Sequence, residues 1–531
     1  MTRFLFLALA VVWSTAATGQ SRPRAIADGE TLEGVSVGPT IAVFRGVPFA
    51  APPVGELRWR PPTRHRPRTG IRNATEFSAS CAQSDRLQAW LKSIAATFGT
   101  VAKVDATPMV SSEDCLYLNV WTGNLSRRQA RQPVMVWIHG GSNLNGEGFS
   151  PLYDGNALAM KGVVVVTINY RLGVFGFMAH PALTAESPNR SSGNYGLLDQ
   201  IEALRWVARN ISAFGGDPGR VTVFGESAGS IDIMHLMASP LATGLFHRAI
   251  AESGAPMAAI ALLTLAHGAG VAVGKALASD SANPLLGLRA APTQAVLAAG
   301  ARVMAGGQLF GPIADGWVIP DVTARIFEAG NQQRVPILIG SNALELSTLR
   351  VFMPAVERTV GGYEKWVGQT FGAATPRILA LYPVKTPDQV DGRSLEAFTD
   401  VLFTCPTRIA AWAMAKVGTP VFLYQFTRVL PGGETLGAFH SIEIAYVFGN
   451  PAPWLPREAV DERLSAAMMA YWVRFAATGD PNGGSEPQWP RYGPSAEYLE
   501  LGSTVRAGRA LKHDVCDLIE PGLRARWAAG G

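Results

Sequence analysis

The stretch Val221-Thr222-Val223-Phe224-Gly225-Glu226-Ser227-Ala228-Gly229-Ser230 constrains this chain more than any other. A β-branched run suits a strand, and the residues from Ser230 to Met237 carry apolar side chains at helical spacing. The segment therefore reads as a strand that turns sharply into a helix, with Ser227 at the bend. A side chain at Gly225 or Gly229 would clash where the backbones close up, and the turn lifts the hydroxyl out of the sheet. The helix that follows points free N–H groups at whatever the serine attacks. The bare pattern G-x-S-x-G is weak, because a random chain with 56 glycines in 531 residues would show it about once in three tries. The flanking strand and helix give it weight.

Strand-like and helix-like segments alternate along the whole chain. Val134 to Ile138, Val163 to Asn169, Val221 to Gly225, Val335 to Gly340 and Val421 to Phe426 read as strands, and Leu198 to Phe214 and Leu464 to Thr478 as helices. That alternation predicts α/β architecture: a large, mostly parallel central sheet flanked by helices, with long inserted loops at the carboxyl ends of the strands. No low-complexity linker, charge block or repeat divides the chain, so residues 20–531 are expected to form one domain.

Residues 1–19 read as a signal peptide. Arg3 supplies the positive end, Phe4 to Trp13 the short apolar stretch and Ala17-Thr18-Gly19 the small-residue cleavage site, so the mature chain is expected to begin near Gln20. The apolar stretch is too short to span a bilayer and no later run is long enough, which predicts a secreted or periplasmic protein without stable membrane insertion. In an oxidising compartment the four cysteines, Cys81, Cys115, Cys405 and Cys516, suit two disulfides; they contain no C-x-x-C pair. Three pairings are open, and Cys81 with Cys115 and Cys405 with Cys516 is the simplest. The formal charge of +5 becomes +4 without Arg3, and the densest basic cluster, Arg58 to Arg72, is broken by prolines and reads as a solvated loop. No nucleic-acid partner is expected, and the sequence leaves the oligomeric state open.

A serine hydroxyl is a poor nucleophile until a base takes its proton. On an α/β-hydrolase sheet the chain order is nucleophile, acid, histidine, each on a loop after a strand. Five of the eight histidines follow Ser227. His235, His247 and His267 fall in or beside regular elements and His513 lies near the end of the chain. His440 alone stands in a small-residue loop, Gly437-Ala438-Phe439-His440-Ser441. Glu345 follows the strand near Ile337 through Gly340-Ser341-Asn342 and can serve as the acid. His139-Gly140-Gly141-Ser142, after the strand ending at Ile138, can expose N–H groups to an oxyanion together with that of Ala228.

These segments, with Glu113-Asp114-Cys115-Leu116-Tyr117-Leu118-Asn119-Val120, Phe44-Arg45-Gly46-Val47-Pro48-Phe49-Ala50, Asn169-Tyr170-Arg171 and Gly193 to Gln200, resemble the type-B carboxylesterase/lipase family, which contains para-nitrobenzyl and fumonisin esterases. The resemblance runs from about Gly34 to Trp489. It implies the α/β-hydrolase fold and an exported serine carboxylesterase acting on a small-molecule ester through an acyl-serine intermediate, with no metal or organic cofactor. Ser227 would be the nucleophile, His440 the general base and acid, and Glu345 the orienting carboxylate. The N–H groups of Gly141, Ser142 and Ala228 would form the oxyanion hole. It also implies disulfides Cys81–Cys115 and Cys405–Cys516, and structural ion pairs Arg45–Glu113 and Arg171–Asp199. Alternatives within the resemblance are an interfacial lipase and a non-catalytic binding module.

The chain departs from the family pattern at Leu344-Glu345-Leu346, where Asp-Glu-Gly is usual, and at Asn143, where an aromatic is common. Asn143 is expected to place a polar side chain in the pocket wall and so to favour a polar substrate. Between Cys81 and Cys115, residues Leu87, Trp90, Leu91, Ile94 and Phe98 recur at helical spacing, which predicts a helix over 87–98 that either covers the cleft or packs on the body.

Overall fold

A computed structural model describes residues 22–104, 109–123, 125, 131–257, 260–277 and 283–529. The predicted signal peptide, residues 1–19, lies outside them. The framework is an eleven-stranded sheet. Numbering only its strands in chain order, these are β1 Val35–Val37, β2 Ile41–Pro48, β3 Tyr117–Thr122, β4 Gln132–Ile138, β5 Val164–Ile168, β6 Gly216–Glu226, β7 Arg248–Glu252, β8 Ile337–Asn342, β9 Val421–Phe426, β10 Glu497–Leu501 and β11 Val505–Arg509. The spatial order is β11-β10-β9-β8-β7-β6-β4-β5-β3-β2-β1. From β10 across to β5 every neighbouring pair is parallel, and antiparallel strands close both edges. This is the mostly parallel sheet that the strand and helix alternation predicts.

Parallel strands are covered on both faces, so they read as unbroken apolar runs. In β4, Val134, Val136 and Ile138 enter one apolar layer while Met135 and Trp137 enter the other. Seven helices matter below: α1 Arg86–Thr97, α2 Tyr195–Asn210, α3 Ala228–Ala238, α4 Val390–Thr399, α5 Cys405–Lys416, α6 Ala459–Thr478 and α7 His513–Ala529. The first layer takes apolar side chains of α2, α3, α5 and α7, such as Leu204, Ile233, Met414 and Trp527. The second takes Leu464, Met468, Trp472 and Phe475 of α6. Among the described residues no helix is long and apolar enough to cross a membrane.

Several boundaries differ from expectation, and two of them, at α6 and β8, do so for visible reasons. Helix α6 starts five residues before Leu464, because its first turn carries Asp461 and Glu462 and is held by a capping box in which the side chains of Glu458 and Asp461 each accept a backbone N–H from the other's end of the turn. Strand β8 runs on to Asn342, since Ser341 and Asn342 pair in register with Gln425 and Phe426 of β9. That extension carries β8 to the rim where Glu345 begins.

Both disulfides are present, Cys81 to Cys115 and Cys405 to Cys516. Arg171 pairs with Asp199 at 2.7 Å, as the resemblance implies. The expected Arg45–Glu113 pair does not form. Glu113 is bound instead by the buried guanidinium of Arg58 at 2.6 Å, while Arg45 donates to the carbonyl of Thr75 and lies over the Phe77 ring. Arg58 is therefore not part of a solvated loop. A buried carboxylate needs a desolvated partner with several hydrogen bonds to give, and Arg58 also reaches the carbonyls of Leu288, Arg289 and Ala291.

Candidate active site

Ser227 sits where the carboxyl end of β6 meets the first residue of α3, with φ 57° and ψ −122°. A non-glycine residue held there costs about 1–3 kcal/mol, so neighbours must hold it. The Ser227 N–H donates to the carbonyl of Glu252 at the end of β7 (2.9 Å), and the Ser227 carbonyl accepts from Ile231 N–H (3.0 Å). The two flanking glycines are needed for close approach. A Cβ on Gly229 would lie 2.0 Å from the Ile138 carbonyl oxygen, and one on Gly225 would lie 2.5 Å from the same atom. The turn is thus seated directly on the end of β4.

Beyond Ile138 the chain enters the loop that starts at His139. A Cβ on Gly140 would come within 3.0 Å of the Ser227 Cβ, so this loop lies against the serine. The loop folds back on itself, with Leu144 and Asn145 N–H groups both donating to the Gly141 carbonyl (3.0 and 3.1 Å). Gln83 clasps Gly146 from outside, accepting from its N–H and donating to its carbonyl, both at 2.8 Å. Ser142 and Asn143 each adopt φ 58°, the left-handed region. That conformation corrects the expectation for Asn143. Its side chain turns away from the cleft and is buried, with Nδ2 donating to Asp232 Oδ1 on α3 at 3.0 Å. Burial pushes Asp232 up to about 7, against the hydrogen bonds from Gln200 and Asn143.

Glu345 opens a single 3₁₀ turn after β8 and is fully buried. Its Oε1 accepts the Asn342 N–H at 2.7 Å, and its Oε2 lies 2.7 Å from His440 Nδ1. That contact sets the tautomer, with Nδ1 carrying its proton toward the carboxylate. The unusual flanking leucines hold this turn through packing and backbone: Leu346 is buried and donates its N–H to Thr399 of α4, and Leu344 N–H donates to the Ala438 carbonyl in the histidine loop. The other ring nitrogen, His440 Nε2, is 3.1 Å from Glu226 Oε1, which also accepts from Ser441 Oγ at 2.6 Å. Glu226 immediately precedes Ser227, so Nε2 faces the serine turn. Phe403 packs beside the imidazole with ring centroids 5.3 Å apart.

Sequence reasoning passed over two of these groups. Glu226 lies inside the serine motif and Glu443 three residues past His440, so adjacency to both was the available signal. Glu443 is buried and accepts from Ser253 Oγ (3.0 Å) and from Asn342 Nδ2. Burial alone would lower the pKa of His440, but Glu226, Glu345 and Glu443 outweigh it and raise the imidazole to about 9. The same crowding acts on the acids. Burial pushes Glu226 to about 7 and Glu443 to about 8, with His440 opposing the shift in each. The attractions of Glu226 and Glu443 for His440 act on both partners, so protons are shared across one cluster.

The remaining histidines after Ser227 have other partners. His235 Nδ1 is bonded to Thr323 Oγ1, His247 Nδ1 accepts from Val221 N–H, His267 Nε2 pairs with Thr184 Oγ1, and the exposed His513 lies near Asp517. Helix α1 forms where apolar spacing predicts it and packs on the body. Ile94 is buried, and Trp90 Nε1 donates to the Thr348 carbonyl at 2.9 Å, three residues past Glu345.

The structure therefore brings Glu345 and His440 into contact, sets the imidazole against the serine turn, and places Gly141, Ser142 and Ala228 in the two segments that flank Ser227. The profile of the carboxylesterase family matches residues 27–519. A fumonisin B1 esterase from Sphingopyxis macrogoltabida is 38% identical over 485 residues, covering 89% of this chain and 85% of that protein. Carboxylesterase 4A of Bos taurus is 35% identical over 554 residues, covering 96% of each. The solved structure of PNB esterase superposes with a TM-score of 0.80 at 30% identity, covering 94% of this chain and 99% of that one. The fold is the α/β-hydrolase fold, and the chain belongs to the carboxylesterase family of serine carboxylic ester hydrolases.

Proposed function

We propose that this protein is an exported serine carboxylesterase in which Ser227, His440 and Glu345 carry the chemistry. The observation that supports it most is the buried Glu345–His440 contact, made by loops from adjacent strands β8 and β9, with Nε2 turned to the residue preceding Ser227. As Ser227 Oγ bonds to the ester carbonyl carbon, its proton passes to His440 Nε2. The carbonyl oxygen gains the electron pair and is met by the N–H groups of Gly141, Ser142 and Ala228. The carbon–alkoxy bond then breaks, and the alcohol leaves with the proton from Nε2. Water repeats the sequence: it gives a proton to His440, adds to the acyl carbon, and the bond to Oγ breaks as the proton returns to Ser227. Glu345 accepts from Nδ1–H throughout and stabilises the imidazolium.

Replacing Ser227 with Ala is expected to lower kcat/KM by about 10⁴ to 10⁶. An organophosphate should label the native protein once, at Ser227. Unchanged activity in Ser227→Ala would refute the assignment. Two disulfides favour an oxidising compartment, and export is read by sequencing the amino terminus of protein recovered outside the cytoplasm, which should begin near Gln20. A panel of esters differing in acyl length, alcohol bulk and charge defines the substrate, and fumonisin B1 belongs in it because of the 38% identical relative. A long-chain ester whose rate jumps above its solubility limit would mark an interfacial lipase instead.

A further inference from the structure

We infer that Asn143, Asp232 and Gln200 form a buried tether that fixes the distance between the two halves of the oxyanion hole. This rests on the catalytic reading above. The proposed donors come from separate pieces of chain: Gly141 and Ser142 from the loop after β4, and Ala228 from the first residue of α3. An oxyanion hole works only if its donors keep their spacing while charge develops. Pairing of Ile138 in β4 with Gly225 in β6 brings the two pieces side by side, but it ends before either set of donors, and the covalent path between them is too long to set their spacing.

The tether crosses between those two pieces. Asn143, on the loop side, is buried and donates from Nδ2 to Asp232 Oδ1 (3.0 Å), one turn into the helix that begins at Ala228. The other oxygen, Asp232 Oδ2, accepts from Gln200 Nε2 of α2 at 2.6 Å, so Asp232 is gripped from both sides. Among the described residues no Arg, Lys or His forms an ion pair with Asp232. Its only side-chain partners there are two neutral amides, an unusual setting for a fully buried carboxylate. The loop backbone is shaped to make the contact. Consecutive left-handed residues at Ser142 and Asn143 turn the amide inward, and Gly173 N–H holds the Asn143 carbonyl at 2.7 Å behind it. Among the described residues the outer amide oxygens, Asn143 Oδ1 and Gln200 Oε1, are buried and meet no hydrogen-bond partner, so both amides give up half of their bonding to serve Asp232. Asn143, Asp232 and Gln200 are positioning residues, acting through the loop and α3.

The tether is tested by kinetics on the full-length protein. First, wild type must be labelled by an organophosphate at Ser227 and lose activity as Ser227→Ala; failure there refutes the catalytic reading and not the tether. Asn143→Gly keeps the left-handed backbone at no steric cost and removes only the side chain. We expect its kcat to fall about 10- to 100-fold with KM within about threefold, because the spacing matters only when the oxyanion forms. Affinity for an alkyl trifluoromethyl ketone, which adds to a serine and leaves its oxyanion in the hole, should weaken in parallel. Asp232→Leu should reproduce that loss, and the double variant should be no worse than Asp232→Leu alone. Asp232→Asn should rescue, since a flipped Gln200 can offer its free Oε1 to the new amide. Wild-type kcat and ketone affinity in Asn143→Gly, or losses that multiply in the double variant, would overturn the proposal.

Discussion

The two sides of Ser227 are both buried, and both contain carboxylates pushed toward neutrality, yet they are built on opposite principles. On one side, Glu226, Glu345 and Glu443 crowd a single imidazole, and their charges raise it to about 9. On the other, the loop after β4 is held by the neutral amides of Gln83, Asn143 and Gln200, and the buried Asp232 has no cationic side chain paired with it among the described residues. In the proposed mechanism the first side exchanges a proton twice in each acyl transfer. In the same mechanism the second holds still while charge grows in front of it. Damage to the first should therefore show in the pH dependence of the rate, and damage to the second in kcat at an unchanged pH profile.

The largest effect on the proton-exchanging side is expected for Glu345→Gln. The amide keeps the shape of the turn but no longer commits Nδ1 to carrying the proton, which leaves Nε2 protonated and unable to take the one from Ser227. We expect kcat to fall about 10³- to 10⁴-fold with KM within a few-fold, measured on a soluble ester under saturating conditions. A loss confined to KM would mean that Glu345 shapes the binding cleft and does not orient the base.

Glu226→Gln should have a smaller and more diagnostic effect. The base must be neutral, so the rate rises as pH climbs through the raised pKa of His440. Burial opposes that rise, and the neighbouring charge of Glu226 drives it most strongly. Removing its charge lowers the pKa, so the acid limb of the pH–rate profile should move to lower pH by about one unit or more. The same measurement on Asn143→Gly should leave the limb in place. If both variants shift it, or neither does, the division of labour between the two sides is wrong.

The sequence exposed these two sides unequally. Ser227, Glu345 and His440 each follow a strand that is buried on both faces and therefore reads as an apolar run, so the ends of β6, β8 and β9 could be located and searched. Asn143 was identified as a departure and then pointed the wrong way. Its direction depends on two successive left-handed backbone angles, and asparagine tolerates that conformation without requiring it. Glu443 lies between Ile442 and Ile444, where an apolar turn suggests an outward carboxylate; only the pairing of β7 with β8 sets Ser253 beside Asn342 to meet it. Glu113 is likewise expected to pair with Arg45 from the resemblance, and the fold buries Arg58 against it instead. Residues fixed by strand position were legible. Those fixed by tertiary hydrogen bonding were not.

The smallest effects should come from the two disulfides, which divide between the same two sides. Cys81–Cys115 closes a loop of sequence separation 34, and Gln83, two residues on, clasps Gly146 behind the oxyanion loop while also donating to the Cys81 carbonyl. Cys405–Cys516 closes a separation of 111 and starts helix α5 directly after the segment that sets Phe403 against His440. In a chain-entropy account the longer loop gives about 1 kcal/mol more stabilisation, so Cys405→Ser/Cys516→Ser should lower the urea midpoint further than Cys81→Ser/Cys115→Ser. The kinetic signatures should run the other way round in kind. The Cys81 pair should lose a few-fold in kcat with the acid limb unmoved, as Gln83 loosens its hold on Gly146. The Cys405 pair should displace the acid limb by a few tenths of a pH unit, as Phe403 shifts and water reaches the imidazole. Identical signatures from the two pairs would show that both disulfides act on global stability alone and that neither side of Ser227 has its own support.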